Sequence, residues 1–264
     1  MNTTVAPAVP SATILLLRGD HSVIEVFMVV RHHQIDFASG ALVFPGGKVD
    51  PQDEEAALAK RCDGASPSPA TRAIQIAAIR EAYEECGVLL ARAAGEPKLI
   101  AGARLASLEP YRLQIHSGAV TFQEFLDRED LRLACDQLTP FAHWITPVMM
   151  PKRFDTHFFV AVAPPDHVAL HDGHESVDSV WITPADALAG AATRRYTVIF
   201  PTLRQIEKLG HATSPADAVT RARLSEIVTV TPWTEQRADG AYLCIPVAAG
   251  YDVSEEKMPA RAAQ

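Results

Sequence analysis

The run Arg80-Glu81-Ala82-Tyr83-Glu84-Glu85-Cys86-Gly87-Val88 puts three carboxylates within five residues. On an α-helix each residue turns by about 100°, so Glu81, Glu84 and Glu85 project into one arc about 100° wide. Carboxylates that close repel, raise one another's pKa and weaken the helix. A hard divalent ion such as Mg²⁺ removes the conflict, because it prefers carboxylate and phosphate oxygen. The opposite face carries Ile76, Ile79, Ala82, Tyr83 and Cys86 at three- and four-residue spacing, suited to docking on a core. Gly87 is the expected stop. A Glu-rich helix face is, taken alone, more often a solvated surface. Here lysine does not interleave the charges, and a Gly-Gly turn lies upstream in Phe44-Pro45-Gly46-Gly47-Lys48-Val49-Asp50.

These two stretches resemble the halves of the Nudix box, whose pattern is Gly, five residues, Glu, seven residues, then Arg-Glu-U-x-Glu-Glu-x-Gly-U with U aliphatic. Arg80 to Val88 fit the second half, with Ala82 and Val88 at the U positions. The first half departs from it. Asp53 stands where the pattern has Glu, and the 26 residues 54–79 replace the seven-residue spacer. That spacer holds Asp63-Gly64-Ala65-Ser66-Pro67-Ser68-Pro69, a loop signal. A split box of this kind is similar to the branch of the Nudix superfamily that contains the mammalian peroxisomal coenzyme A diphosphatase. Trp144-Ile145-Thr146-Pro147, Arg153-Phe154-Asp155-Thr156 and a closing Asp-Gly hairpin add to the likeness, which runs from about Ala12 onward.

The resemblance implies an α/β Nudix fold: an α/β/α sandwich around a mixed β-sheet, here with a helical insertion and C-terminal helical additions. It implies hydrolysis of a pyrophosphate bond in a nucleoside diphosphate derivative, with Mg²⁺ or Mn²⁺ as cofactor. On this reading Glu81, Glu84 and Glu85 hold metal, Glu81 doubles as a base, and Gly47 offers a carbonyl ligand. Arg80 orients Glu81 by charge-assisted hydrogen bonds. Glu175 is a second candidate base from outside the box, and equally a solvated loop residue. Lys48, Arg31 and Arg153 are candidate contacts for substrate phosphates, and Lys152 reads at least as well as a surface residue. Asp50 is expected to be a turn residue, and the exchange of Glu for Asp puts the structural role of position 53 in question. The branch points to coenzyme A or an acyl derivative, cut to 3′,5′-ADP and a 4′-phosphopantetheine product. ADP-ribose, NADH or a dinucleoside polyphosphate is the rival substrate. A non-enzymatic nucleotide sensor is the other reading, and the complete carboxylate set weighs against it.

At 264 residues and 48% hydrophobic composition, the chain has ample material for a core. Its net charge of −8 argues against broad affinity for nucleic acid or anionic membrane, without excluding a local basic pocket. No apolar run approaches membrane-spanning length, and Met1 to Ser11 do not read as a secretory signal. Cys62, Cys86, Cys135 and Cys244 show no CxxC spacing, so neither disulfides nor a zinc site are expected and a reducing cytoplasm fits best. His167, His171 and His174 recur at near-regular spacing but lack a supporting carboxylate motif. A homodimer is compatible with this composition, and no Gly-x-Ser-x-Gly motif supports a serine hydrolase.

The elements that must position the carboxylates read as follows. Ala12 to Arg18 and Val23 to Arg31 are strands, the latter β-branched and aromatic, with a loop over 32–39 and an extended piece at 41–44. Gln52 to Arg61 reads as a short helix and Thr71 to Cys86 as the long one, with Thr71 as its cap. Arg104 to Gln137 reads as mostly helical, with a capping box at Thr121-Phe122-Gln123-Glu124. Strands follow at His143–Thr146, Phe154–Ala163 and Val177–Ile182. Helices follow from Pro184, Pro201 and Pro215, and a hairpin closes around Ala238-Asp239-Gly240. The expectation is one domain over 12–254, with insertions at about 54–79 and 98–140, a disordered lead at 1–11 and a flexible tail at 255–264.

Overall fold

The structure is a computed structural model. It describes residues 5–31, 41–169, 171 and 176–258, without the side chains of 31, 176 and 177. The chain opens with β1 (Ala8–Gly19) and β2 (Ile24–Arg31), joined by a turn in which Asp20 accepts the backbone N–H groups of Ser22 and Val23. Short strands β3 (Leu42–Val43) and β4 (Gly46–Lys48) precede a 3-10 turn, Pro51–Glu54, then α1 (Ala56–Ala59) and β5 (Cys62–Asp63). The carboxylate-bearing helix is α2 (Pro69–Cys86). Next come β6 (Ala91–Ala93), α3 (Gly102–Leu108), α4 (Pro110–His116), α5 (Phe122–Arg128) and β7 (Leu131–Ala134). Three longer strands follow: β8 (Thr139–Ile145), β9 (Arg153–Val162) and β10 (Ser176–Ile182). The chain continues through α6 (Pro184–Ala192), α7 (Phe200–Gly210) and α8 (Pro215–Leu224). It ends in β11 (Thr229–Val230), β12 (Trp233–Arg237), β13 (Gly240–Cys244) and β14 (Glu255–Lys257).

The main sheet has the order β10-β2-β1-β9-β8-β11, with β3 paired to β2 and β4 to β1. It is mixed: β1 runs parallel to β9 and antiparallel to β2 and β4. Because side chains alternate across a strand, β1 feeds two cores. Ala12, Ile14 and Leu16 pack with Ile76, Ile79, Ala82, Tyr83 and Cys86 of α2. Leu15 and Leu17 pack on the other face with Ile206 and Leu209 of α7 and Ala218 and Ala222 of α8. A sheet buried on both faces between helices is the sandwich that the resemblance implies. Among the described residues no helix is long and apolar enough to cross a membrane.

Several boundaries differ from the sequence reading. Helix α2 begins at Pro69 with Ser68, not Thr71, as its cap: the Ser68 hydroxyl accepts the Thr71 N–H, and proline at the first helical position has no N–H to satisfy. Gly87 closes it at φ 70, as expected of a left-handed terminator. The helix expected at 52–61 is broken by Glu55, whose extended backbone separates the 3-10 turn from α1. The capping box at Thr121 and Glu124 is present, but the segment around it is three short helices and a strand. Residues 8–11 belong to β1, because they complete its ladder with β9 from Ala8 opposite Arg153. In the tail, Glu255 to Lys257 pair with β13, and Arg237 grips Glu255.

The two segments expected as insertions bond to one another. Strand β7 pairs with β5 from the spacer and with β6. Arg61 reaches Asp127 and Asp130, and Arg132 reaches Asp63. These two segments, together with β6 between them, form a small three-stranded sheet, and Tyr83 of α2 stacks on Phe125 and donates its hydroxyl to the Leu108 carbonyl.

Candidate active site

Two glycines permit close approaches to β4, Gly46 that of β1 and Gly47 that of Glu81 on α2. Strand β4 pairs with β1 at Thr13–Gly46, Ala12–Gly47 and Ser11–Lys48. A Cβ at Gly46 would stand 2.3 Å from the Ala12 carbonyl oxygen, and one at Gly47 would stand 2.4 Å from the Glu81 carboxyl carbon. Glycine at 47 therefore makes room for a carboxylate, the use of glycine where a group must approach the backbone closely. Gly47→Ala should leave the melting temperature nearly unchanged, since only the end of a side chain must move. It should displace Glu81 and reduce turnover at least tenfold, and equal kcat values for the two proteins would refute this role for Gly47.

Arg80 gathers both halves of the box. Its Nε and Nη2 hold Asp53 at 3.0 and 2.9 Å, and Nη2 also donates to the Lys48 carbonyl at 3.0 Å. Its Nη1 donates to Glu81 at 2.9 Å and to Glu84 at 3.0 Å. Glu85 turns to the strand and accepts the Gly46 N–H at 2.9 Å. Burial opposes the Arg80 charge, but the hydrogen bond to Asp53 and the neighbouring carboxylates outweigh it and hold the guanidinium protonated well above its usual range. Burial is the largest influence on Glu84 and Asp53, and pushes both carboxyls up against the pull of Arg80. Asp53 thus has the structural role its identity left in question. It is 1% exposed and completes a capping box with Asp50, whose turn role is as expected. A shorter side chain serves here because the 3-10 turn carries it directly under Arg80.

The box residues suit a hard divalent cation. All side-chain donors are carboxylate oxygen. Glu85 reaches the Gly46 N–H and Glu81 occupies the space a Gly47 side chain would fill, while Glu84 is held by Arg80 and the three carboxylates do not all lie within 4.8 Å of one another. Arg80 sits between Glu81 and Glu84, so a cation there competes with the guanidinium for those oxygens.

The proposed phosphate contacts fall in different places. Lys48 has an exposed side chain, and its backbone carbonyl accepts from Arg80. Arg153 is engaged with backbone, donating to the carbonyls of Thr146 at 3.0 Å and Ala6 at 2.8 Å. Glu175, the side chain of Arg31 and the segment 32–39 lie outside the described residues. A cavity of about 430 Å³ lined by Arg92, Lys98, Ile100 and Asp166 contains none of the box residues.

Sequence reasoning missed a second constellation. Among the described residues, the ligand-type side chains whose donor atoms all lie within 4.8 Å of one another are His143, Asp155 and His157. His143 Nε2 meets Asp155 at 2.5 Å and its Nδ1 meets the Thr229 hydroxyl at 2.8 Å, while the two imidazoles stack at 4.0 Å. Burial and the neighbouring His143 push the His157 pKa down. The available signal was Asp155-x-His157 in a strand, which puts both on one face. The partner strand is a matter of topology. The histidines noted in sequence are elsewhere: His167 bonds the Ile100 carbonyl, His171 bonds Ser179, and His174 is outside the described residues.

With this geometry in hand, the comparisons are informative. The NUDT19 Nudix domain model matches residues 54–209. The acyl-coenzyme A diphosphatase NUDT19 of Xenopus laevis is 23% identical over 227 residues, 71% of this chain and 60% of that protein. The Gallus gallus protein of the same name is 26% identical over 209 residues, 62% of this chain and 55% of its own length. The chain thus spans only part of the length of the curated relatives it matches. The crystal structure of a NUDIX hydrolase from Alicyclobacillus acidocaldarius superposes with a TM-score of 0.66 at 26% identity, over 82% of this chain and 97% of that one. With a rebuilt split box, a Nudix-like sheet and a family model matched across more than half its length, the chain belongs to the NUDT19 Nudix domain family.

Proposed function

We propose that this protein hydrolyses the pyrophosphate bond of coenzyme A or an acyl derivative, releasing 3′,5′-ADP and a 4′-phosphopantetheine product. The observation that carries the reading is Arg80, which ties Asp53 and the Lys48 carbonyl of one box half to Glu81 and Glu84 of the other. A cation bound at the carboxylates would offset charge building on the phosphate oxygens and acidify water at the site. The chain's own residues do the rest. Asp53 holds Arg80, Arg80 aims Glu81 and Glu84, the Gly46 N–H fixes Glu85, and Gly47 leaves space for Glu81. Glu81, whose side chain is 15% exposed, takes the proton of the attacking water. The names of the Xenopus and Gallus relatives support coenzyme A as substrate class, as does the split box.

The test is a turnover panel in Mg²⁺ and in Mn²⁺ over coenzyme A, acetyl-coenzyme A, 3′-dephospho-coenzyme A, ADP-ribose, NADH and diadenosine polyphosphates, with products separated by chromatography. A charged hydrogen-bond partner for the 3′-phosphate contributes about 1.5–3 kcal/mol. Coenzyme A should therefore exceed its dephospho form by roughly ten- to a hundredfold in kcat/KM. Faster cleavage of ADP-ribose would overturn the substrate, and no cleavage of any of these would overturn the activity in favour of a binding role. Arg153→Ala should lower thermal stability, because its guanidinium is spent on backbone carbonyls. If the same change abolishes the preference for coenzyme A, then Arg153 reads the 3′-phosphate.

A further inference from the structure

Gly47 of β4, Ala12 of β1, His157 of β9 and His143 of β8 form one row across the main sheet, each registered against the next. Ala12 lies in the core under α2, and so do Phe159 and Ala161, which share a strand face with Asp155 and His157. The His143–Asp155–His157 cluster therefore stands on the face of the sheet that carries the box glutamates. At about 4.8 Å per strand, His157 is about 10 Å from Gly47 by backbone. All three side chains are part-buried.

We propose that His143, Asp155 and His157 form a second metal site, selective for a borderline transition ion of the Zn²⁺ class and separate from the carboxylate site on α2. Two imidazoles and one carboxylate are the donor set of open zinc sites, whereas hard ions such as Mg²⁺ prefer oxygen alone. The three donors come from adjacent, hydrogen-bonded strands in the middle of a sheet, so their spacing is held without a loop. The outer contact is in place as well. Thr229, registered opposite His143 on β11, holds Nδ1 and leaves Nε2 for the Asp155 side. Such an orienting bond is the usual companion of a ligating histidine. With only a proton between Nε2 and Asp155 the same atoms would make a simple ion pair. The approach of the second imidazole, with His157 Nε2 at 3.9 Å from the same carboxylate oxygen, supplies the third donor that an ion pair does not need. The site leaves coordination positions open for water or an anionic oxygen.

The test uses the full chain, free of any affinity tag and stripped by chelator, titrated with ZnCl₂ and with CoCl₂ in a calorimeter and by visible absorption. One equivalent should bind the wild type and also the triple variant Glu81→Gln, Glu84→Gln, Glu85→Gln. His157→Ala and Asp155→Asn should weaken that binding at least a hundredfold, and Thr229→Val by about tenfold. Metal-free melting curves show whether these variants fold. If one does not, the imidazole nitrogen resonances of wild-type His143 and His157 are followed by NMR, and both should move on adding Zn²⁺. Unchanged affinity in the folded His157 and Asp155 variants, loss of binding in the triple glutamine variant, or unmoved imidazole resonances would each overturn the proposal.

Discussion

Asp53→Ala should lower the melting temperature by roughly 6–20 °C in the absence of metal. Asp53 and Arg80 are both buried and joined by two hydrogen bonds. Removing one member of a buried pair leaves the other charge desolvated, at a cost of about 3–5 kcal/mol. For a chain of this size each kcal/mol moves the transition by about 2–4 °C. Arg80 would retain Glu81 and Glu84, which favours the lower part of the range. Arg80→Ala should cost at least as much, since it strands Asp53 and leaves Glu81 and Glu84 without their shared donor. A shift below about 2 °C for either variant would mean that the pair behaves as a solvent-exposed bridge, and the network would no longer explain how the box halves are held together.

Glu84→Gln and Glu85→Gln should each reduce kcat by about a hundredfold or more, which is about 2.7 kcal/mol of transition-state stabilisation. The substitution keeps shape and removes a charged oxygen. Structure refines the accompanying change in stability. Arg80 pairs with Glu84, but burial outweighs that pull and disfavours the ionised carboxylate, so Glu84→Gln removes a charge the fold desolvates and metal-free stability should hold or rise slightly. Glu85 accepts a backbone N–H that a glutamine carbonyl can still accept, so Glu85→Gln should be nearly neutral. Turnover close to wild type in both variants at saturating Mg²⁺ would remove these residues from the site.

Much of this architecture was legible because it rests on local rules. The helix ending at Gly87 follows from three- and four-residue spacing and a glycine stop, both within reach of a few neighbours. Strands β1 and β9 are legible as apolar runs, because a strand buried on both faces carries apolar residues at successive positions. The cap was misplaced by three residues because Ser68 and Thr71 are both good caps, and proline at 69 decided between them. The lead and tail were read as free because nothing local showed their pairing with β9 and β13.

What the sequence determined by itself was the chemistry of one helix: three carboxylates on one face, an apolar face opposite, and a preceding arginine. What only the tertiary structure decided was where those charges find their partners. Asp53 is 27 residues from Arg80 in sequence. Its value depended on a 3-10 turn that brings it beneath the guanidinium, so the exchange of Glu for Asp could not be judged from spacing. His143 and His157 meet because β8, past an irregularity between Pro140 and Ala142, pairs with β9 at that position, and a shift of one residue would send His143 to the opposite face. Strand register and the joining of distant segments are set by the sum of many long-range contacts, which no short stretch of sequence records.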